Sequence, residues 1–331
     1  MKAAFIEKPG TIAVRTVADP VPGPGELLIR VESSGICGTD VHIFKGEYLG
    51  SYPIIPGHEF SGTVIGTGPG VQRFKPGDRI AAEPNIPCNN CGPCLNNRQN
   101  FCENWKAVGV TLPGGMAELV AVPESAAFGI GDLSFDEGAF VEPLSCVLHG
   151  VERVGFRLGD RVLIIGAGPI GLLLSQSIQL QGASEIVQVD KNHTRLALAK
   201  TLGAARVEST LDAVGDKDFD VVVDATGVPA LMEKTLAFAR PGGKILLFGV
   251  PPAHATVTFP AFPIFRQGLT ILSSFTSVRN SIQAVRLLGS GNIDVRSLVS
   301  HRLPLSGLAD GIALLEQGKE GVLKVLIKPE A

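Results

Sequence analysis

The run Arg161–Ile165 (RVLII) passes straight into Gly166-Ala-Gly168-Pro169-Ile170-Gly171, and an apolar helical stretch over residues 172–181 follows at once. No other feature restricts the possible folds as severely. A buried strand that turns on glycines into a helix belongs to a parallel βαβ unit. Each glycine has its own task. Gly166 permits the tight turn, Gly168 lets the backbone approach a pyrophosphate, and Gly171 lets helix and strand pack closely. The helix N-terminus, reached through Pro169 and Ile170 of the glycine turn, offers N–H groups and a favourable dipole to phosphates. Asp190 ends the next strand, Glu185–Val189, nineteen positions after Gly171. Its carboxylate suits ribose hydroxyls and repels a 2′-phosphate, so the pattern predicts NAD rather than NADP. Lys191 softens that preference but lacks the planar fork of arginine.

The alternation continues. The pattern predicts a helix over 194–202 closed by Gly203, a strand over 220–224, a helix over 230–239, and strands over 244–249 and 269–273. Residues 143–278 therefore read as a doubly wound parallel sheet. The flanks have another texture. Residues 1–142 carry short β-like runs (3–6, 26–31, 62–66, 79–82, 117–122) split by glycine and proline turns. Residues 279–331 offer amphipathic helices at 281–288 and 308–316 and a closing strand at 322–327, suited to rejoining the β-rich part. A chain of 331 residues, 45% hydrophobic, has room for two cores. Its net charge of −3, with no basic block, argues against nucleic acid or an anionic membrane as partner. Apolar runs are of strand length and residues 1–10 lack a leader-like core, so the expectation is a soluble, cytoplasmic protein.

Four of the six cysteines cluster as Cys88, Cys91, Cys94 and Cys102. Thiols at this spacing, with small turn-forming residues between them, can enclose one tetrahedral ion, for which zinc is the default. All four positions are filled by protein, so such a site is structural. An iron–sulfur cluster, or an exposed loop with disulfides or unligated thiols, is the alternative. A weaker pattern lies upstream. Cys37, His58 and Glu59 make a plausible set of ligands for a second metal, with Thr39, Asp40 and His42 as polar neighbours. The bland reading is a packed Cys and His beside a capped turn opening a helix near Thr39, with His42 on its surface.

Larger pieces carry a resemblance: GICGTDVH at 35–42, GHEFSG at 57–62, KPGDRI at 75–80, the four-Cys lobe at 88–102, EGAFVEPLSC at 137–146, GAGPIG at 166–171, DATG at 224–227 and RPGGKILLFG at 240–249. Over nearly its whole length the chain resembles a zinc-dependent medium-chain dehydrogenase. The resemblance implies an α/β protein with a GroES-like β-rich catalytic domain built from the outer segments (1–142 and 279–331) around a Rossmann coenzyme domain (143–278). It implies two zinc ions per chain, one structural in the 88–102 lobe and one catalytic on Cys37, His58 and Glu59. Glu142, in Val-Glu-Pro-Leu, stands near the position where alcohol dehydrogenases carry a third zinc ligand, Cys. There it either ligates zinc or reaches it through water. That Glu-Pro-Leu pattern resembles the polyol dehydrogenase branch, which also includes threonine and butanediol dehydrogenases.

By the same resemblance Thr39 accepts the substrate hydroxyl proton and His42 passes it to solvent. Thr226 and Phe275 join the glycine turn, Asp190 and Lys191 in coenzyme binding. Phe44, Tyr48, Trp105 and Val110 are candidate pocket residues. The implied activity is oxidation of a secondary alcohol of a polyol to the ketone with NAD, in a homodimer or homotetramer. Threonine, butanediol and sugar-alcohol phosphates remain alternative substrates, and a nucleotide-binding relative without catalysis is the alternative of another class.

Overall fold

The computed structural model describes residues 1–48, 51–215 and 217–329. The chain forms two compact units, one made of 1–145 and 277–331 and the other of 146–276. The boundaries expected at 142/143 and 278/279 compare with observed divisions at 145/146 and 276/277. No helix among the described residues is long and apolar enough to cross a membrane.

The first unit is organised on a seven-stranded sheet. Strands run in the order Val299–Pro304, Lys324–Lys328, Glu26–Gly35, Glu59–Thr67, Arg79–Ala82 and Ala127–Gly129, with Leu119–Pro123 also paired to Glu26–Gly35. Leu27, Ile29 and Val31 alternate into one face, where they meet Phe60, Val64, Ile80, Val120 and Val122. Burying each such side chain contributes roughly 1.5–3 kcal/mol. The central strand runs on to Gly35, past the expected stop at residue 31. Its last turns carry Ser33 and Ser34, both fully buried, and such polar residues read locally as a loop. They are strand because neighbours on both sides satisfy the backbone: Ser34 pairs with Phe60 on one side and Ile327 on the other.

The C-terminal return is fastened by charge as well as by the sheet. Asp136, on helix Phe135–Gly138, accepts from Arg302 Nε at 2.7 Å, Lys328 Nζ at 2.6 Å and Ser33 Oγ at 3.0 Å. Glu83, 8% exposed, is a second tie. One of its oxygens accepts hydroxyl donors from Ser145 at 3.3 Å, Ser277 at 2.8 Å and Ser281 at 2.7 Å. Ser145 and Ser277 are the residues at which the chain leaves and re-enters this unit, so both points are held on one carboxylate.

The second unit is a six-stranded, wholly parallel sheet. Its order is Arg206–Glu208, Glu185–Val189, Arg161–Ile165, Phe219–Asp224, Ala239–Leu247, Thr270–Ser273. The strand before the glycine turn thus sits in the middle, where the order reverses, the usual dinucleotide position in such sheets. One expected element is corrected. The helix expected over 230–239 is a single turn, Pro229–Met232, then a 3₁₀ segment, Thr235–Phe238, and the following strand begins at Ala239. Leu236, Phe238 and Ala239 join Phe219 and Leu163 in the core, and Ala239 pairs with Phe219. Core burial and strand pairing here override the local helical pattern.

Candidate metal centre and coenzyme turn

Strand register assembles the first site. Gly35, ending one strand, lies opposite Glu59, which begins the next. Cys37 follows the first end and His58 precedes the second start, so the two meet although twenty residues of chain separate them. One ligand atom each from Cys37, His58 and Glu59 lies within 4.8 Å of the others. Their chemistry, a thiol, an imidazole and a carboxylate, fits a divalent ion such as zinc. Helix Gly38–Lys45 starts at Cys37, and its Asp40 accepts the Cys37 backbone N–H at 2.8 Å. The other oxygen of Asp40 lies 3.5 Å from His58 Nδ1. A buried carboxylate behind a ligating histidine helps to set the ring's orientation, although at this distance Nδ1 makes no hydrogen bond. Burial pulls the His58 imidazolium down, but Asp40, and after it Cys37, outweigh this and hold its pKa well above the ordinary value.

Sequence reasoning missed Lys324. Strand Lys324–Lys328 pairs Leu326 with Gly35, and Ile36 N–H donates to Val325 at 2.9 Å, which carries Lys324 alongside Cys37. The residue is 4% exposed and its ammonium ion-pairs with Glu59 Oε2. Burial alone lowers a lysine's pKa; Glu59 and then Cys37 overcome it and raise that of Lys324, with Glu142 contributing. One oxygen of Glu59 is therefore held by Lys324. Gly35 makes room for this: a Cβ there would collide with the same Glu59 oxygen. Gly35→Ala is expected to weaken metal binding at this centre by about tenfold or more, read by chelator competition, with the Cys lobe unaffected. Unchanged affinity would refute the steric argument.

Glu142 is 8% exposed on helix Val141–Val154 and does not belong to the group of three within 4.8 Å. Its charge reaches Lys324. Thr39 and His42 share the helix that starts at Cys37. The four expected pocket residues fall together. Val110 is buried, and Phe44, Tyr48 and Trp105 lie against the cluster it forms with Ile6, Ile43, Ile54 and Ala107. Trp105 Nε1 donates to Asn85 at 2.9 Å.

In the cysteine lobe the four thiols are free and their sulfurs lie within 4.8 Å of one another. Cys91 and Cys102 sulfurs are 3.9 Å apart. That excludes a disulfide between them and is close to the edge of about 3.8 Å that a tetrahedron with zinc–sulfur bonds of about 2.3 Å requires. The backbone N–H of Asn90, foremost, pulls the Cys88 thiol down to about 6, while burial pushes that of Cys94 up to about 12. Without a cation, crowded thiols cannot all ionise.

In the second unit Gly166 has φ 109°, outside the range of ordinary side chains. A Cβ on Gly171 would collide with the Gly166 carbonyl, whereas one on Gly168 would project into open space. That open space is where a phosphate can approach, at the start of helix Pro169–Leu180. Asp190 stands at the turn: its carboxylate accepts the N–H groups of Ala167 at 2.7 Å and Asn192 at 2.9 Å. Each oxygen keeps lone pairs for a further donor. Lys191 is exposed. Thr226 flanks Gly166, with its methyl 3.0 Å from a Cβ built there, and its hydroxyl donates to Asp224 at 2.6 Å. Burial raises the Asp224 pKa. Phe275 is partly exposed just past strand Thr270–Ser273.

Residues 23–132 match the family model described as alcohol dehydrogenase GroES-like domain, and residues 169–289 match that described as zinc-binding dehydrogenase. D-altritol 5-dehydrogenase of Agrobacterium fabrum (strain C58 / ATCC 33970) is 38% identical over 309 residues, covering 91% of this chain and 92% of that protein. Sorbitol dehydrogenase of Gallus gallus is 34% identical, covering 98% and 96%. A crystal structure from Sinorhizobium meliloti 1021, described as a zinc-binding dehydrogenase bound to NADP, superposes with a TM-score of 0.93 at 36% identity, over 99% of each chain.

Proposed function

Since the chain belongs to the zinc-dependent medium-chain dehydrogenase family, in its polyol dehydrogenase branch, we propose that it oxidises a secondary alcohol of a polyol to the ketone with hydride transfer to NAD. The observation that carries this reading is the convergence of Cys37, His58 and Glu59 within 4.8 Å, in a chain that also bears the glycine turn. Zinc, when bound there, supplies a Lewis acid that lowers the pKa of an alcohol. The nicotinamide supplies the hydride acceptor.

The chain's own residues do the rest. Cys37, His58 and Glu59 hold the metal, with Asp40 orienting the imidazole. Glu142 would stand by the metal as a fourth group, a carboxylate ligating it directly or through water. Thr39 takes the hydroxyl proton and His42 passes it on to solvent. Cys88, Cys91, Cys94 and Cys102 hold a second, structural zinc. Gly166, Gly168, Pro169, Ile170 and Gly171 receive the pyrophosphate, and Asp190 the adenosine ribose, with Lys191, Thr226 and Phe275 around the coenzyme. Two carboxylates near the metal, Glu59 and Glu142, favour a substrate with several hydroxyls. A homo-oligomer is part of this reading. Thr270–Ser273 is a sheet edge, and Phe262 and Phe265 on the preceding helix are 71% and 81% exposed.

A substrate panel followed by NADH absorbance tests the reading. Sugar alcohols such as D-arabinitol and D-sorbitol are expected to be oxidised in preference to sugar-alcohol phosphates, butanediol, threonine and simple alcohols. Turnover of none of the polyols would overturn it. Coenzyme kinetics test Asp190: the Asp190 carboxylate is expected to favour NAD⁺ over NADP⁺ in kcat/KM by about tenfold or more, and a preference for NADP⁺ would refute that role.

A further inference from the structure

His42 Nδ1 lies 3.0 Å from Glu47 Oε2. The backbone builds this pair. Helix Gly38–Lys45 ends at Gly46, whose φ of 78° reverses the chain. The Glu47 backbone N–H then donates to the His42 carbonyl at 2.8 Å, which folds Glu47 back over the last turn. The reversal is itself buttressed: a Cβ on Gly46 would lie 2.9 Å from Pro9 Cγ, and Gly10 N–H donates to the Phe44 carbonyl at 2.8 Å. The nearby cation Lys45 pairs foremost with Glu316 on helix Leu308–Gln317, at 2.9 Å, and the charge of Glu47 reaches it more weakly. The two side chains are 22% and 34% exposed, at the border between protein and solvent.

An ionised carboxylate can only accept, so the Nδ1 atom facing it carries the hydrogen and Nε2 is left as the acceptor. We propose that Glu47 is a positioning residue for proton exit: it holds neutral His42 in the Nδ1–H tautomer, ready to take the substrate-derived proton at Nε2. This rests on the reading of Thr39 and His42 given above. The ring gains one proton at Nε2, the adjacent carboxylate balances the imidazolium, and one proton then passes to water. No other bond changes. Free histidine ordinarily favours the Nε2–H form, so the carboxylate selects the less common tautomer.

A partly exposed pair of this kind contributes little to stability, so variants should fold. Nitrogen-15 NMR of histidine-labelled, zinc-loaded protein near pH 9, about where imidazoles are neutral, reads the tautomer directly. The wild type should show His42 as Nδ1–H, and Glu47→Gln should shift it toward Nε2–H. With D-arabinitol or D-sorbitol and NAD⁺, Glu47→Gln should lower kcat about tenfold and leave KM for NAD⁺ unchanged. Glu47→Asp should recover most of the rate, and added imidazole buffer should partly restore Glu47→Gln. The same tautomer in wild type and Glu47→Gln would overturn the proposal. So would wild-type kcat in Glu47→Gln alongside a damaged His42→Gln. Wild-type kcat in His42→Gln would instead bring down the proton route itself, and the proposal with it.

Discussion

Replacing Lys324 with Met is expected to destabilise the metal-free protein by about 3–5 kcal/mol, the cost of leaving a buried charge without its partner. Glu59 is 1% exposed and Lys324 is 4% exposed, so water cannot take over from the lost ammonium. The loss should be smaller with zinc bound, because the metal then offers the Glu59 carboxylate another cation. Denaturant unfolding with and without a chelator reads both numbers. A second substitution, Glu59→Leu, should recover much of the metal-free loss, because removing both members of a buried pair is far milder than removing one. A loss below about 1 kcal/mol in the metal-free protein would show that the pair is not desolvated as its burial implies. An equal loss in the two forms would show that Glu59 does not turn to the metal.

His58→Ala is expected to lower kcat by about a thousandfold or more, since Lewis-acid stabilisation is worth several kcal/mol. Bound zinc should fall by one equivalent per chain. NADH binding, followed by fluorescence, should persist, because the glycine turn and Asp190 belong to the other compact unit. Asp40→Asn should do less damage, about ten- to a hundredfold, since it removes the partner that orients the ligand and leaves the ligand in place. Full zinc content in His58→Ala would remove His58 from the metal site. Lost NADH binding would mean that the variant is misfolded, which its melting curve would report.

How far each element could be read from sequence follows from how local its physics is. Strands Arg161–Ile165, Glu185–Val189 and Arg79–Ala82 lie where the hydrophobic runs place them, because a buried strand must be apolar throughout or alternate cleanly. The glycine turn is equally local: the φ of Gly166 and the collision that a Cβ on Gly171 would cause are consequences of a few successive residues. The segment 230–239 misled because a helical pattern there competes with a core contact to Phe219, a residue on another strand. Where Phe44, Tyr48, Trp105 and Val110 pack is likewise not local: their apolar character is visible in the sequence, but the cluster they join draws on residues as distant as Ile6.

The site divides along the same line. Cysteines at short spacing and a glycine fingerprint point to metal and dinucleotide chemistry locally, because few residue types can perform it and their spacing is constrained by the ligand, whereas Cys37, His58 and Glu59 form only a weak pattern until the resemblance supports them. What surrounds those groups depended on tertiary structure. Sheet register brings Lys324 across the chain to Glu59 and sets Gly35 against the same carboxylate. The helix that begins at Cys37 turns Asp40 toward His58. The chain reversal at Gly46 places Glu47 on His42. A charged or hydrogen-bonding partner needs only to be near, not to be a particular neighbour in sequence, so any of the 29 Lys and Arg or 32 Asp and Glu residues was eligible until the backbone brought specific ones together.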